Sequence, residues 1–200
     1  MLALIIERIY QPTAMIQKKR IQLAVFLILI IIVSNIKAAD KQISEIRKNF
    51  RLINEDSTLI SGDSIDLAGE TSEGGFLIKM KDSTGNLRKM VANYYGEIGN
   101  QIEEFYIKDD KLFFCYTKLT GYNRPIYYDK KKKMIIEGAD GEVFDASKSI
   151  IEECRYYFDS NQILIQIIDE HKKVIREKTK IADSEKSILL EFQSLKERKK

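Results

Sequence analysis

The stretch Glu104-Phe-Tyr-Ile-Lys-Asp-Asp-Lys-Leu112 decides the fold. Aromatic and β-branched residues stand on both sides of Asp109-Asp110, a polar pair of the kind that reverses a chain. Successive side chains of a strand point to opposite faces. Phe105 and Ile107 therefore share one face, and Glu104, Tyr106 and Lys108 share the other. A second stretch, Arg155-Tyr-Tyr-Phe-Asp-Ser-Asn-Gln-Ile163, repeats the order. It puts Tyr156 and Phe158 on an apolar face, and Arg155 and Tyr157 on a semi-polar, tyrosine-rich one. The hairpin around Gly85, ending in Leu87-Arg-Lys-Met90, follows the pattern more loosely. Two imperfect copies make a sheet of hairpins, not a solenoid.

Working outward, Phe76–Lys81 and Leu87–Tyr95 read as strands around Asp82–Asn86, a turn with a glycine available for positive φ. Gln101–Lys108 and Lys111–Lys118 flank Asp109-Asp110, and Ser149–Phe158 and Ile163–Ile168 flank Ser160-Asn161. A shorter hairpin, Ile126–Asp129 with Lys133–Glu137, is expected around the lysine run Lys130–Lys133. Asp40–Ile53 reads as a helix capped by Asp40, with Ile43, Ile46, Phe50 and Ile53 on one face. Asp183–Lys199 reads as another, capped by Asp183 or Ser184, with Ile188, Leu189, Phe192 and Leu195 inward. Residues 169–182 suit either strand or helix. Isolated hairpins are marginal in water, so the helices must supply cover. The expectation is an α+β domain, a meandering antiparallel sheet of hairpins covered by an N-terminal and a C-terminal amphipathic helix.

The front of the chain reads as an export signal. Lys18, Lys19 and Arg20 precede an apolar run, Leu23–Val33, and small residues follow at Ala38 and Ala39. A retained membrane helix needs about 20 apolar residues. Here Gln22 interrupts on one side and Ser34, Asn35 and Lys37 on the other. The reading is a leader over 1–38 and one domain over 39–200, in the periplasm or secreted. An uncleaved anchor is the alternative and the one expected route to a membrane. Met15-Ile-Gln-Lys-Lys-Arg20 is a complete basic start by itself, which points to initiation at Met15. No Cys follows the apolar run closely enough to carry a lipid anchor.

The chain has 33 basic and 30 acidic residues. Five of the basic and one of the acidic lie in 1–38, leaving 28 and 29 and a net charge of −1. The isoelectric point near 8.6 is thus largely the leader's. The remainder has no basic field for nucleic acid. The runs Lys130–Lys133 and Lys196–Lys200 read as a solvated turn and a frayed helix end.

Motifs of catalysis are missing. The single histidine, His171, lies in the charged run Asp169-Glu-His-Lys-Lys173 and reads as a solvated turn residue. There is no Gly-x-Ser-x-Gly, phosphate-binding loop, His-Glu-x-x-His or Cys-x-x-Cys, so no cofactor or metal is expected. Glu103/Glu104, Asp109/Asp110 and Glu152/Glu153 are adjacent pairs, which strands point apart. Asp56, Asp63, Asp66, Glu70 and Glu73 share the polar segment 54–75, but their spacing fits no EF-hand. Cys115 and Cys154 are expected on opposite faces by strand parity, against a disulfide.

What remains is aromatic. Tyr94, Tyr95, Tyr106, Tyr116, Tyr122, Tyr127, Tyr128 and Tyr157 fall in the sheet region. Exposed tyrosines offer flat area and a hydroxyl at low entropy cost, which suits a protein or carbohydrate of the cell envelope. Tyr106 and Tyr157, with Arg155 and Glu104 beside them, are the candidate binding residues. The plainer reading is that tyrosine favours strands and packs under the helices. The rival class is a cell-envelope hydrolase with a carboxylate site in 54–75.

Four motifs, Glu73-Gly-Gly75, Tyr94-Tyr-Gly-Glu97, Phe105-Tyr-Ile107 with Leu112-Phe-Phe114, and Arg155-Tyr-Tyr-Phe158, carry a resemblance. In that layout the chain resembles a group of small exported proteins of Gram-negative bacteria over most of Lys41–Leu195. It departs from the pattern at Ile107, where Phe is usual, and at Asp110-Lys111, where a Gly-Lys turn is common. The resemblance implies hairpins after a leader and a short helix, and carries over no catalytic residue. N-terminal sequencing of the exported protein is expected to begin at Ala39, and the precursor at Met15; a precursor retaining Met1 would refute the internal start.

Overall fold

Among the described residues, nine strands form one open sheet in which every paired neighbour is antiparallel. The structure, a computed structural model, describes residues 19–23, 25–26, 39–128 and 142–199. The chain divides into two units, Met1–Glu45 and Ile46–Lys200. In the first, 19–23 and 25–26 are helical, with Ile21, Leu23, Val25 and Phe26 exposed. Most of the leader lies outside the described residues, as does Lys133–Glu137 of the expected shorter hairpin; its other arm falls at Ile126–Tyr128, which form a turn closed by the Tyr128 N–H on the Pro125 carbonyl and not a strand. Among those described, no helix is long and apolar enough to cross a membrane. Helix α1 spans 39–55, so Asp40 lies inside its first turn and does not cap it.

The second unit carries the sheet. In chain order its strands are β1 (Ile60–Ser61), β2 (Ile65–Asp66), β3 (Gly75–Lys81), β4 (Leu87–Gly96), β5 (Gly99–Lys108), β6 (Lys111–Gly121), β7 (Ile150–Phe158), β8 (Leu164–Ile168) and β9 (Val174–Ile175). They are ordered as in the sequence, except that β1 and β2 both pair with β3. The polar segment 54–75 thus contributes two short edge strands. Helix α2 spans Lys178–Glu197, starting earlier than Asp183. Glu177 occupies its N-cap position and makes no side-chain cap bond.

The turns explain the strand lengths. At Asp82, Asp159 and Asp169 one design recurs. The Asp Oδ1 accepts the backbone N–H groups two and four residues on: Thr84 and Asn86 (both 3.0 Å), Asn161 and Ile163 (2.8 and 2.9 Å), His171 and Lys173 (3.1 and 2.7 Å). The residue three places after each Asp takes positive φ, at Gly85, Gln162 and Lys172. These are carboxylate-locked turns in which the side chain stands in for a backbone acceptor. The β5–β6 turn differs. Asp109 and Asp110 themselves have φ of 51° and 63°, as a two-residue primed turn requires. The repeat read between the β5–β6 and β7–β8 hairpins therefore holds for the strands and not for the turns.

A bulge sets the faces. Tyr106 pairs with Phe114, but Ile107 pairs with Leu112, leaving Phe113 as an extra residue. Beyond it, parity along β6 shifts by one. Cys115 pairs with both Phe105 and Tyr156 and so lies on their face. That corrects the expected placement. Cys115 and Cys154 share a face, and both are free thiols.

The helices lie on opposite faces rather than sharing the apolar one. Under α2 sits the main core: Leu77, Met90, Ala92, Phe105, Ile107, Cys115, Phe158 and Ile167, with Phe192 and Leu195 of the helix. On the other face, Phe50 of α1 meets Tyr106 and Phe114, with ring centroids at 4.8 and 5.1 Å. Tyrosine and phenylalanine make this second face apolar enough to attract a helix, which the alternation of charged residues disguises in the sequence.

Glu73-Gly74-Gly75 has a steric reason. Gly74 has a φ of 71°. A Cβ at Gly75 would collide with the Asn93 carbonyl oxygen across the β3–β4 ladder, whereas one at Gly121 would meet nothing within 4 Å. Gly75→Ala is expected to cost more than about 2 kcal/mol in urea unfolding, and Gly121→Ala less than about 0.5 kcal/mol. Equal effects would show that the contact does not constrain the strand.

Candidate functional site

Two rows of side chains cross β5, β6 and β7 on the α1 face. Tyr106, Phe114 and Tyr157 stand in register, and so do Glu104, Tyr116 and Arg155. Each row follows from strand parity once the bulge is included. The aromatic row lies under α1 and is buried, with Tyr106 at 0% exposure and Tyr157 at 4%. The second row opens into a cleft of about 340 Å³. Ile46, Arg47 and Phe50 of α1 form one wall, Phe114, Tyr116 and Tyr157 the floor, and Glu104, Glu153 and Arg155 the rim.

The rim is charge-balanced. Arg155 bonds Glu153 at 2.9 Å and lies 5.6 Å from the Tyr116 ring centroid. The Tyr116 hydroxyl donates to Glu153, which holds that carboxyl below its ordinary range. Burial, then this bond, pushes the Tyr116 phenol up to about 12. Arg47 lies 5.8 Å from the Tyr157 centroid. Such contacts contribute about 0.5–1 kcal/mol at exposed sites and hold a guanidinium flat against a ring.

Beneath one wall lies a polar anchor. The Tyr106 hydroxyl donates to Glu104 Oε2 (2.5 Å) and lies 3.0 Å from Asn54 Oδ1. Lys89 Nζ reaches Glu104 Oε2 (3.2 Å) and Asn54 Oδ1 (3.1 Å), above the Tyr106 ring at 4.7 Å. Burial and the Glu104 bond raise the Tyr106 phenol far above its ordinary range. The anchor fastens the end of α1 to β4 and β5.

The four residues read from sequence are thus brought together, in different roles. Glu104, Arg155 and Tyr157 line the cleft, but Tyr106 does not. Expected as an exposed platform, it is a buried strut, because α1 covers it. Sequence reasoning named Tyr116 only among the tyrosines of the sheet and did not select it or Phe114, whose positions depend on the bulge, nor Arg47 and Phe50, which share a helix face at i and i+3.

A second cavity, about 320 Å³, lies on the opposite face. Its lining includes Tyr94, Glu103, Phe105 and Cys115 of the sheet and Ser187, Ile188 and Glu191 of α2. Gln101 Nε2 donates to Glu103 Oε1 at 2.7 Å, while Glu103 Oε2 is buried with no partner. Burial above all, with Glu191 nearby, raises the Glu103 carboxyl to about 7 against the opposing Gln101 bond. The Tyr94 hydroxyl donates to Glu191 Oε1 at 2.6 Å.

The carboxylates of 54–75 serve their own surroundings. Asp56 accepts from Thr58, Asp66 from the Ala68 N–H, and Glu70 pairs with Arg198. Among the described residues, no cluster of three or more His, Cys, Asp or Glu could hold a metal. His171 is exposed beside Glu170, 3.6 Å away. Compared with known protein families, curated proteins and solved structures, the chain matches none.

The Glu103 shift has a sign. Its folded carboxyl binds a proton more tightly than the unfolded one, so stability is greatest below about pH 4.5 and falls as pH rises toward 7. Glu103→Gln removes that dependence. In urea unfolding it is expected to stabilise the protein by about 1–3 kcal/mol at pH 8 and by far less at pH 4.5. An equal effect at both pH values would place the carboxyl in water.

Proposed function

We propose that the chain is an exported, non-enzymatic binding module whose cleft on the α1 face receives an aromatic or apolar side chain of a partner protein. The observation that carries this reading is the cleft's construction, an aromatic floor inside a rim whose carboxylates are already paired. A neutral, flat group enters such a site without stripping water from an unpaired carboxylate. Arg47 and Arg155, laid against rings, add cationic edges that favour a π-face. A sugar is less suited, because the Tyr116 and Tyr106 hydroxyls are engaged by Glu153 and Glu104.

Export rests on the leader-like segment and on the resemblance to small exported proteins. The hydrolase alternative draws no support from Asp56, Asp66 and Glu70, which are held by neighbouring loop and tail groups.

The chain has no tryptophan, so an indole probe can be followed without background. N-acetyltryptophanamide titrated with the protein at pH 7 is expected to show a blue-shifted, enhanced emission. The expected Kd is on the order of 0.1–1 mM, as for a fragment of that size. Tyr116→Ala and Phe50→Ala, verified as folded by circular dichroism, should each weaken it at least about fivefold. Unchanged emission with the unaltered protein, or full binding by both variants, would overturn the assignment.

A further inference from the structure

We propose that Glu103 is the trigger of a latch that releases helix α2 from the sheet when its carboxyl ionises. The geometry is that of a closed contact with one unmet need. Glu103 projects from the middle of β5 on the face that α2 covers, flanked in register by Ala92 of β4 and Thr117 of β6. Its outer oxygen is sealed from water and accepts no hydrogen bond. A protonated carboxyl tolerates that place; a carboxylate does not, since an isolated charge there lacks both water and a donor.

The groups facing it are unhelpful to an anion. From α2 comes Glu191, a second carboxyl, and from the segment after β2 comes Glu70. From β4 comes the Tyr94 phenol, already given to Glu191, and from β6 the buried Cys115 thiol. Gln101 of β5 donates to Glu103, but bonds only the other oxygen. Arg198, just past α2, is bonded to Glu70.

Movement of α2 relieves the ionised Glu103. The sheet is held by ladders through β3–β8, whereas α2 is held by side chains, among them Phe192 against Phe105 and the Tyr94–Glu191 bond. Lifting the helix hydrates Glu103 and separates it from Glu191 in one movement. With the carboxyl raised to about 7 in place and ordinary once released, release grows as pH rises from about 4.5 to 7 and levels off above. The movement would also uncover Cys115, which is 1% exposed and lines the same cavity.

Cys115 reports on the latch. The full chain and Glu103→Gln are alkylated with iodoacetamide at pH 6 and pH 8.5, and each cysteine is quantified by peptide mass spectrometry. Both proteins share the intrinsic rise in thiolate, so their ratio isolates the latch. At pH 8.5 Cys115 is expected to react at least about tenfold faster in the unaltered chain than in Glu103→Gln, with a several-fold smaller difference at pH 6. Amide hydrogen exchange under the same conditions should show acceleration confined to α2. Equal Cys115 rates in both proteins, or exchange accelerated alike in α2 and β3–β8, would overturn the proposal. Glu191→Gln provides a second variant; it should reduce the pH 8.5 rate part of the way toward that of Glu103→Gln, and a rate left unchanged would count against it.

Discussion

One extra residue in β6 organises both faces of this protein. Because Phe113 is accommodated as a bulge opposite the Tyr106–Ile107 step, Leu112 faces α2 while Phe114 faces α1. The central strand β5 is consequently covered on both sides, Phe105 and Ile107 by one helix and Tyr106 by the other. A strand buried on both faces is unusual in antiparallel sheets, which commonly leave one face wet. Here the residual polarity of the second face is gathered into the Asn54–Tyr106–Glu104–Lys89 group, where donors and acceptors meet one another.

The same bulge builds the cleft. It aligns Glu104, Tyr116 and Arg155 across three strands, and the buried row beside them keeps the floor rigid. Rigid aromatic surfaces bind at low entropy cost because few rotamers remain to be frozen. The two cavities are contrasts in electrostatics. In the α1-side cleft the rim carboxylates Glu104 and Glu153 are each paired with a cation. In the α2-side cavity two carboxyls face each other, and Glu103 keeps its proton to neutrality.

Much of this was legible in the sequence, for a physical reason in each case. Period-two alternation at Glu104–Lys108 and Arg155–Phe158 assigns the two faces of each strand, and the observed sheet follows it, although Tyr106 and Tyr157 on the second face are buried as well. The helix faces at Phe50 and at Phe192–Leu195 were equally plain. The bulge was not, because no residue type demands one, and every parity inference beyond Phe113 inherited the shift. Cys115 was misplaced by that route. Tyr106 was misjudged differently: a tyrosine between Glu104 and Lys108 looks solvated, but Phe50 of α1 covers it and Lys89 of β4, paired with Glu104, lies over its ring. The early start of α2 escaped notice because Glu177 supplies no side-chain cap to announce it.

The edges of the sheet have a consequence of another kind. At one end β3 is flanked by β1 and β2, each two residues long, and at the other β8 is flanked by β9, also two residues long. An outer strand offers a ladder of vacant amides and carbonyls to any neighbour, and a long one recruits further chains into fibres. Strands of two residues present too little ladder to seed such growth. A protein built almost wholly of hairpins is thereby protected against polymerising with its own copies at its outermost strands.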